Sequence, residues 1–281
     1  MPHHLVVQAP ALPQATLEQL AAACGAAITQ RTGPCRARLS PCPDAVTPAL
    51  SALAAGLGVD IARVADGARF ADYGLIVSDM DSTLITIECI DEIADMHGLK
   101  PEVAAITERS MQGELDFAQS LVARVALLEG LSEAALERVY LERVRLTRGA
   151  ETLLAACRAH GVRFMLVSGG FTFFTERLKA RLGLDYAYAN ELEVAGGRLT
   201  GRVKGDIVDA AAKRRLLIDT RDALGLAPQQ VIAMGDGAND LMMLAEAGLG
   251  VAFDAKPVVR AQAAVAINHV GLEGVLGLFD A

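Results

Sequence analysis

The chain has no tryptophan, and aromatic residues make up only 4% of its 281 positions. Large rings therefore cannot fill its interior, and the wealth of alanine points to helices packed closely through small side chains. Cysteine is equally sparse: Cys24, Cys35, Cys42, Cys89 and Cys157 form an odd count with no C-x-x-C pair. That argues against a disulfide framework and against a zinc site. A formal net charge of −8, with no basic patch, weighs against a nucleic-acid partner. No apolar run is long enough to cross a membrane, so no membrane partner is expected. Met1-Pro2-His3-His4 lacks the features of a signal peptide, and a cytoplasmic protein is expected. Internal repeats and low-complexity stretches are absent too. What remains, 52% hydrophobic and 21% charged, is a soluble globular composition with ample core material for one large domain or two modest ones.

The most informative stretch is Leu75-Ile76-Val77-Ser78-Asp79-Met80-Asp81-Ser82-Thr83. A short apolar run bounded by polar turn-formers reads as a buried strand of a parallel sheet. Residues two apart project to the same side, so Asp79 and Asp81 are expected together at the strand's carboxyl end, where open α/β sheets bind ligands. Two like charges this close repel unless a cation or a shared proton relieves them. Asp79 is accordingly expected to raise the cost of ionising Asp81. A solvated turn accounts for most isolated D-x-D pairs, so further residues must decide.

Those residues lie downstream. Phe164 to Val167 is a second apolar strand, ending in Ser168-Gly169-Gly170. Val231 to Met234 is a third, ending in Gly235-Asp236-Gly237-Ala238-Asn239-Asp240. Between them Lys213 stands in a helix-like stretch. Taken in order, D-x-D-S-T, S-G-G, a lone lysine and G-D-G-x-N-D resemble the haloacid dehalogenase superfamily of phosphohydrolases. Glu88-Cys89-Ile90-Asp91-Glu92-Ile93-Ala94, Met111 and the segment from Phe117 to Val125 narrow the resemblance to the phosphoserine phosphatase family. It runs from about Tyr73 to the C-terminus, with no departure at a motif position.

The resemblance implies hydrolysis of O-phospho-L-serine, the last step of L-serine biosynthesis, through an aspartyl-phosphate and with Mg²⁺. Asp79 would be the nucleophile, and Asp81 the acid and then the base. Asp236, an oxygen of Asp79 and the Asp81 carbonyl would hold Mg²⁺, braced by Asp240. Ser168, the Gly169 amide and Lys213 would hold the phosphate, and Asn239 the substrate or its phosphate. Glu88 would take the ammonium of the substrate and Arg124 its carboxylate. Taken alone, Lys213 and Arg124 would pass for solvated surface charges, and Asp236 and Asp240 for an ordinary glycine-flanked turn. His97, His160 and His269 show no metal-ligand spacing; Cys89 reads as a small buried hydrophobe and Phe173-Phe174 as helix packing.

The expected fold is α/β: a doubly wound parallel sheet over residues 71–281, preceded by a small α+β ferredoxin-like module over residues 1–70. Strands are expected at 5–8, 27–32, 36–40 and 60–64, and helices at 16–23 and 45–57. The β-α-β-β-α-β order resembles an ACT-type regulatory module, and a structural or dimerising role is open beside amino-acid sensing. Residues 86–148 pattern as helices, which the superfamily uses as a cap over the site. Residues 189–205 read as a hairpin turning at Gly196-Gly197 and projecting as a flap. Three other readings stay open: phosphoryl transfer to another hydroxyl such as homoserine, a broader small-molecule phosphatase, and an amino-acid-sensing regulatory protein. A homodimer is also possible on sequence grounds.

Overall fold

In the computed structural model, which describes residues 2–279, buried apolar side chains gather into separate clusters. Met1, Asp280 and Ala281, counted above in the two expected units, lie outside the described residues. The first cluster belongs to strand β1 (His3–Gln8), helix α1 (Gln14–Cys24), β2 (Ala27–Arg31), β3 (Arg36–Ser40), α2 (Pro48–Gly56) and β4 (Asp60–Ala65). Their antiparallel sheet has the order β2-β3-β1-β4. Helix α2 starts three residues later than the apolar pattern predicts. Pro48 presets the first helical turn, and the Thr47 hydroxyl accepts the Leu50 N–H at 3.2 Å.

The larger unit opens with β5 (Leu75–Ser78) and then leaves the sheet for four helices, α3 (Cys89–Met96), α4 (Lys100–Met111), α5 (Phe117–Ala126) and α6 (Glu133–Glu142). Capping chemistry cuts these helices apart. Asp116 accepts the Gln119 N–H while the Gln119 side chain accepts the Asp116 N–H, and Ser132 caps α6. The chain re-enters the core through α7 (Ala150–His160) and continues with β6 (Arg163–Phe171), α8 (Thr172–Leu182), β7 (Tyr186–Ala195), β8 (Arg198–Lys204), α9 (Ala210–Ala223) and β9 (Val231–Gly235). It finishes with α10 (Leu241–Glu246), β10 (Leu249–Phe253), α11 (Pro257–Arg260) and β11 (Val265–Ile267).

The sheet order is β11-β10-β9-β5-β6-β7-β8, parallel except for β8. Strand alternation explains the layering. Ile76 packs with Leu153, Leu154 and Phe174 of α7 and α8, whereas Leu75 and Val77 pack with Leu217, Met243 and Leu244 of α9 and α10. Both faces are covered, which is why β5 is apolar throughout. From β5 the connections run first to β6 and then back to β9. The order therefore reverses at β5, and the carboxyl ends of β5 and β9 open into one crevice.

Residues 189–204 form the predicted hairpin, with Gly196 and Gly197 at φ 57° and 74° as a two-residue turn requires. It extends the main sheet rather than standing over the crevice. Its turn is bound to the α5–α6 connection: Gly130 N–H donates to the Leu199 carbonyl at 2.8 Å, Leu199 N–H to Leu131 at 2.9 Å, and Glu133 N–H to Gly197 at 3.0 Å.

The small unit docks on the edge of the large one through buried Asp60. Its carboxylate accepts the backbone N–H groups of Asn268, His269 and Val270 at 2.7–3.1 Å. Gln8 donates to the Gly274 carbonyl, and Arg38 to that of Phe279. Among the described residues no helix is long and apolar enough to cross a membrane.

Candidate active site

The crevice holds a cavity of about 500 Å³. Its floor is made where β5 ends. Asp79 stays extended, and its carboxylate accepts the Met80 N–H at 2.8 Å. The chain then turns tightly, with Ser82 held at φ 54°, a left-handed conformation costly for a residue with a Cβ. The turn, and not strand alternation alone, brings Asp81 to the cavity beside Asp79. It also delivers two residues that the motif reading left unused. The Thr83 hydroxyl, fully buried, donates to Asp236 at 3.2 Å, and the Ser82 hydroxyl donates to Glu88 at 2.8 Å.

Strand β9 delivers Asp236 to the same place. Close approach requires glycine at 235, where a Cβ would lie 2.4 Å from the buried Asp240 carboxyl; one on Gly237 would meet the Asn239 amide oxygen at 2.2 Å and push that side chain aside. Asp240 is fully buried and both its oxygens are engaged, one by Lys213 at 2.7 Å and one by the Gly237 N–H at 3.1 Å. Lys213, also fully buried, reaches Asp79 at 2.8 Å. It lies beneath the cavity and holds two carboxylates in register. Asn239 and Lys256 complete this wall, and the Lys256 N–H donates to the Asp236 carbonyl at 3.1 Å. Nothing in the D-x-D or G-D-G pattern points to Lys256; it enters the wall because β10 ends beside β9.

The third wall is Ser168-Gly169-Gly170. The Ser168 hydroxyl accepts the Gly170 N–H at 2.8 Å, which leaves its own proton free to be donated into the cavity. The helical segment between β5 and α7 contributes Glu88, Ile90, Ser110, Leu115, Leu121 and Arg124. Phe117 closes over the glycines so tightly that a Cβ on Gly169 would meet its ring at 2.6 Å. Arg124 donates to the Ser120 carbonyl of its own helix at 3.4 Å, and no carboxylate among the described residues pairs with it directly.

The carboxylates are electrostatically crowded. Burial pushes Asp79 well above the usual carboxylate range, Asp240 pushes it further, and Lys213 opposes both. Burial and then Glu88 raise Asp81 to about 7. The D-x-D spacing points to Asp79; Glu88, which the spacing does not point to, is the charged neighbour that opposes ionisation of Asp81 most. Burial and Asp240 bring Asp236 to about 6. Burial disfavours the Lys213 charge, but Asp240 and Asp79 outweigh it and raise its pKa. Arg124 is lowered by burial, against the pull of Asp91 and Glu88.

One carboxylate oxygen each from Asp79, Asp236 and Asp240 lies within 4.8 Å of the others. An all-carboxylate donor set suits a hard divalent cation, and ionising these acids together is a cost that such a cation relieves. Because Asp240 is committed to Lys213 and Gly237, Asp79 and Asp236 are the carboxylates free to ligate.

Buried carboxylates, a second carboxyl held near neutrality and a Ser-Gly-Gly loop gathered round one crevice at a topological switch point suit phosphoryl-transfer hydrolysis. The chain belongs to the haloacid dehalogenase-like hydrolase family, whose pattern matches residues 76–245. Within it the chain falls among the phosphoserine phosphatases. A phosphoserine phosphatase from Polaromonas sp. is 54% identical over 228 residues, 79% of this chain and 96% of that one. A haloacid dehalogenase-family hydrolase from Salmonella enterica serovar Typhi superposes with a TM-score of 0.91 at 34% identity, covering 99% of each chain, small unit included. A phosphoserine phosphatase solved as a phospho-aspartyl intermediate analogue superposes at 0.69 with 40% identity, covering 74% of this chain and 99% of its own.

Proposed function

We propose that this chain hydrolyses O-phospho-L-serine to L-serine and inorganic phosphate through an aspartyl-phosphate on Asp79. The observation that carries the reading is one cavity with Asp79, Ser168 and Asp236 at its base and Glu88 and Arg124 at its mouth. An Asp79 oxygen attacks phosphorus while the ester oxygen departs and takes a proton from Asp81. Water then attacks the same phosphorus, yields its proton to Asp81, and the bond to Asp79 breaks. A pKa of about 7 lets Asp81 serve as acid in the first step and base in the second. Ser168, the Gly169 N–H and Lys213 balance the charge of the phosphoryl oxygens. Mg²⁺, held by Asp79, Asp236 and the Asp81 carbonyl, would mask that charge when bound. Glu88 would pair with the substrate ammonium and Arg124 with its carboxylate, while Asn239 orients the substrate.

The test is phosphate release from phosphoserine against a panel of monoesters, with Mg²⁺ and with chelator, beside Asp79→Asn. A Mg²⁺-dependent preference for phosphoserine, lost in the variant, is expected. Mg²⁺-dependent rates that are equal across the panel would sink the roles of Glu88 and Arg124. Transfer of the phosphoryl group to an added alcohol such as homoserine would replace hydrolysis by transfer.

Residues 2–65 support an ACT-like reading through their element order and antiparallel sheet. We assign that unit a regulatory or dimerising role in a cytoplasmic enzyme; calorimetry with free amino acids and sedimentation of the full chain separate the two.

A further inference from the structure

Strand β6 does not run evenly beside β7. Their register passes from Val167↔Tyr188 to Phe171↔Asn190, four steps along β6 against two along β7. Ser168, Gly169 and Gly170 are therefore a bulge opposite a single residue, Ala189. Bulges near active sites re-aim side chains, but they leave ladder groups without their usual partners. Here one side chain makes good the deficit. Asn190, 1% exposed, donates its Nδ2 to the Gly169 carbonyl at 2.8 Å. Its Oδ1 accepts the Val208 N–H, also at 2.8 Å.

Only one orientation of the amide satisfies both bonds, since the carbonyl can only accept and the N–H can only donate. Val208 lies just before Asp209, which caps α9 by accepting the Ala212 N–H at 2.8 Å. Helix α9 carries Lys213 one turn further on. One buried amide thus joins the bulged loop to the root of the helix that holds Lys213 against Asp79 and Asp240. Asn190 does not line the cavity.

We infer that Asn190 is a positioning residue for phosphoryl transfer, holding the Ser168–Gly170 loop in register with the Lys213 helix without touching substrate. This rests on the reading that the loop binds the phosphoryl group. Aspartate at 190 keeps the shape and can still accept from Val208, but it turns a second acceptor towards the Gly169 carbonyl. Serine removes the reach to both partners.

The experiment compares Asn190→Asp and Asn190→Ser with wild type on phosphoserine and on an aryl phosphate, with Mg²⁺, alongside thermal melts. Misplacement of the loop is expected to lower kcat/KM by roughly 10- to 100-fold on both substrates, mainly through kcat. The preference between the two substrates should not change, because Glu88 and Arg124 are untouched. Folded variants with wild-type kcat/KM, whatever their melting temperature, would overturn the inference, as would a loss confined to phosphoserine. Wild-type protein inert towards both esters would overturn the underlying reading together with it; an active wild type with unimpaired variants removes only the role of Asn190. If neither variant folds, amide exchange on wild type with Mg²⁺ decides. Added inorganic phosphate should slow exchange at Val208 as well as at Gly169 and Gly170, and protection of the glycines alone would refute the link.

Discussion

The two ends of the cavity are built on different physical terms. At the base, Asp79, Lys213 and Asp240 are almost wholly buried, and each is held by bonds of 2.7–2.8 Å to another charge. Gly235 leaves no room for a methyl group against Asp240. At the mouth, Glu88 is exposed and its carboxylate accepts a hydrogen bond from the nearby Ser82, while Arg124 leans on its own helix. The base therefore has one arrangement and the mouth can have several. On the proposed reading, the chemistry that needs sub-ångström placement falls to the strand ends, and recognition of the rest of the substrate to Glu88 and Arg124.

If that division holds, damage at the base should harm every substrate and the fold as well. Lys213→Met leaves Asp79 and Asp240 buried without a counter-charge, and breaking such a buried set costs about 3–5 kcal/mol of stability. Urea unfolding at neutral pH should show it, and turnover of phosphoserine and of an aryl phosphate should fall together. A variant that melts normally and loses only phosphoserine turnover would place Lys213 with the mouth.

Damage at the mouth should be smaller and selective. Arg124→Ala removes charge-assisted hydrogen bonds worth about 1.5–3 kcal/mol, so kcat/KM for phosphoserine should drop roughly 10- to 100-fold. The aryl phosphate, which has no amino-acid carboxylate, should change little. Equal losses on both substrates would end the recognition role of Arg124.

The smallest effect sharpens the electrostatic side of the contrast. Folded Asp81 and Asp236 titrate near 7 and 6 against an ordinary value of 3.8, so the folded state keeps protons that the unfolded chain releases. Their contribution to stability is full below the unfolded pKa and is lost as pH rises through 6 to 7. In chelator, the melting temperature should decline from about pH 5 to about pH 8, and Mg²⁺ should restore more of it at the upper end. A Mg²⁺ increment independent of pH would argue that these carboxyls do not bear on metal binding.

Much of this was legible along the chain because local patterns carry it. The apolar run before Asp79 and the glycines around Asp236 are short-range signals with direct physical causes. The element order of the first 65 residues follows from strand and turn chemistry in the same way. Other features were not legible, since they depend on residues distant in sequence. Glu88 opposes ionisation of Asp81 because the fold brings it to the same cavity, seven residues further along the chain. Lys256 reaches the cavity wall only because β10 lies beside β9. The hairpin binds the α5–α6 connection because its turn meets the backbone of residues 130–133.

The candidate site residues and their order on strand ends were determined by the sequence alone, because alternation, capping and glycine's missing Cβ act over a few residues. Which charge faces which was decided by tertiary structure. Coulomb interaction and desolvation depend on distance through space and on burial, and neither is known until β5, β6 and β9 stand side by side.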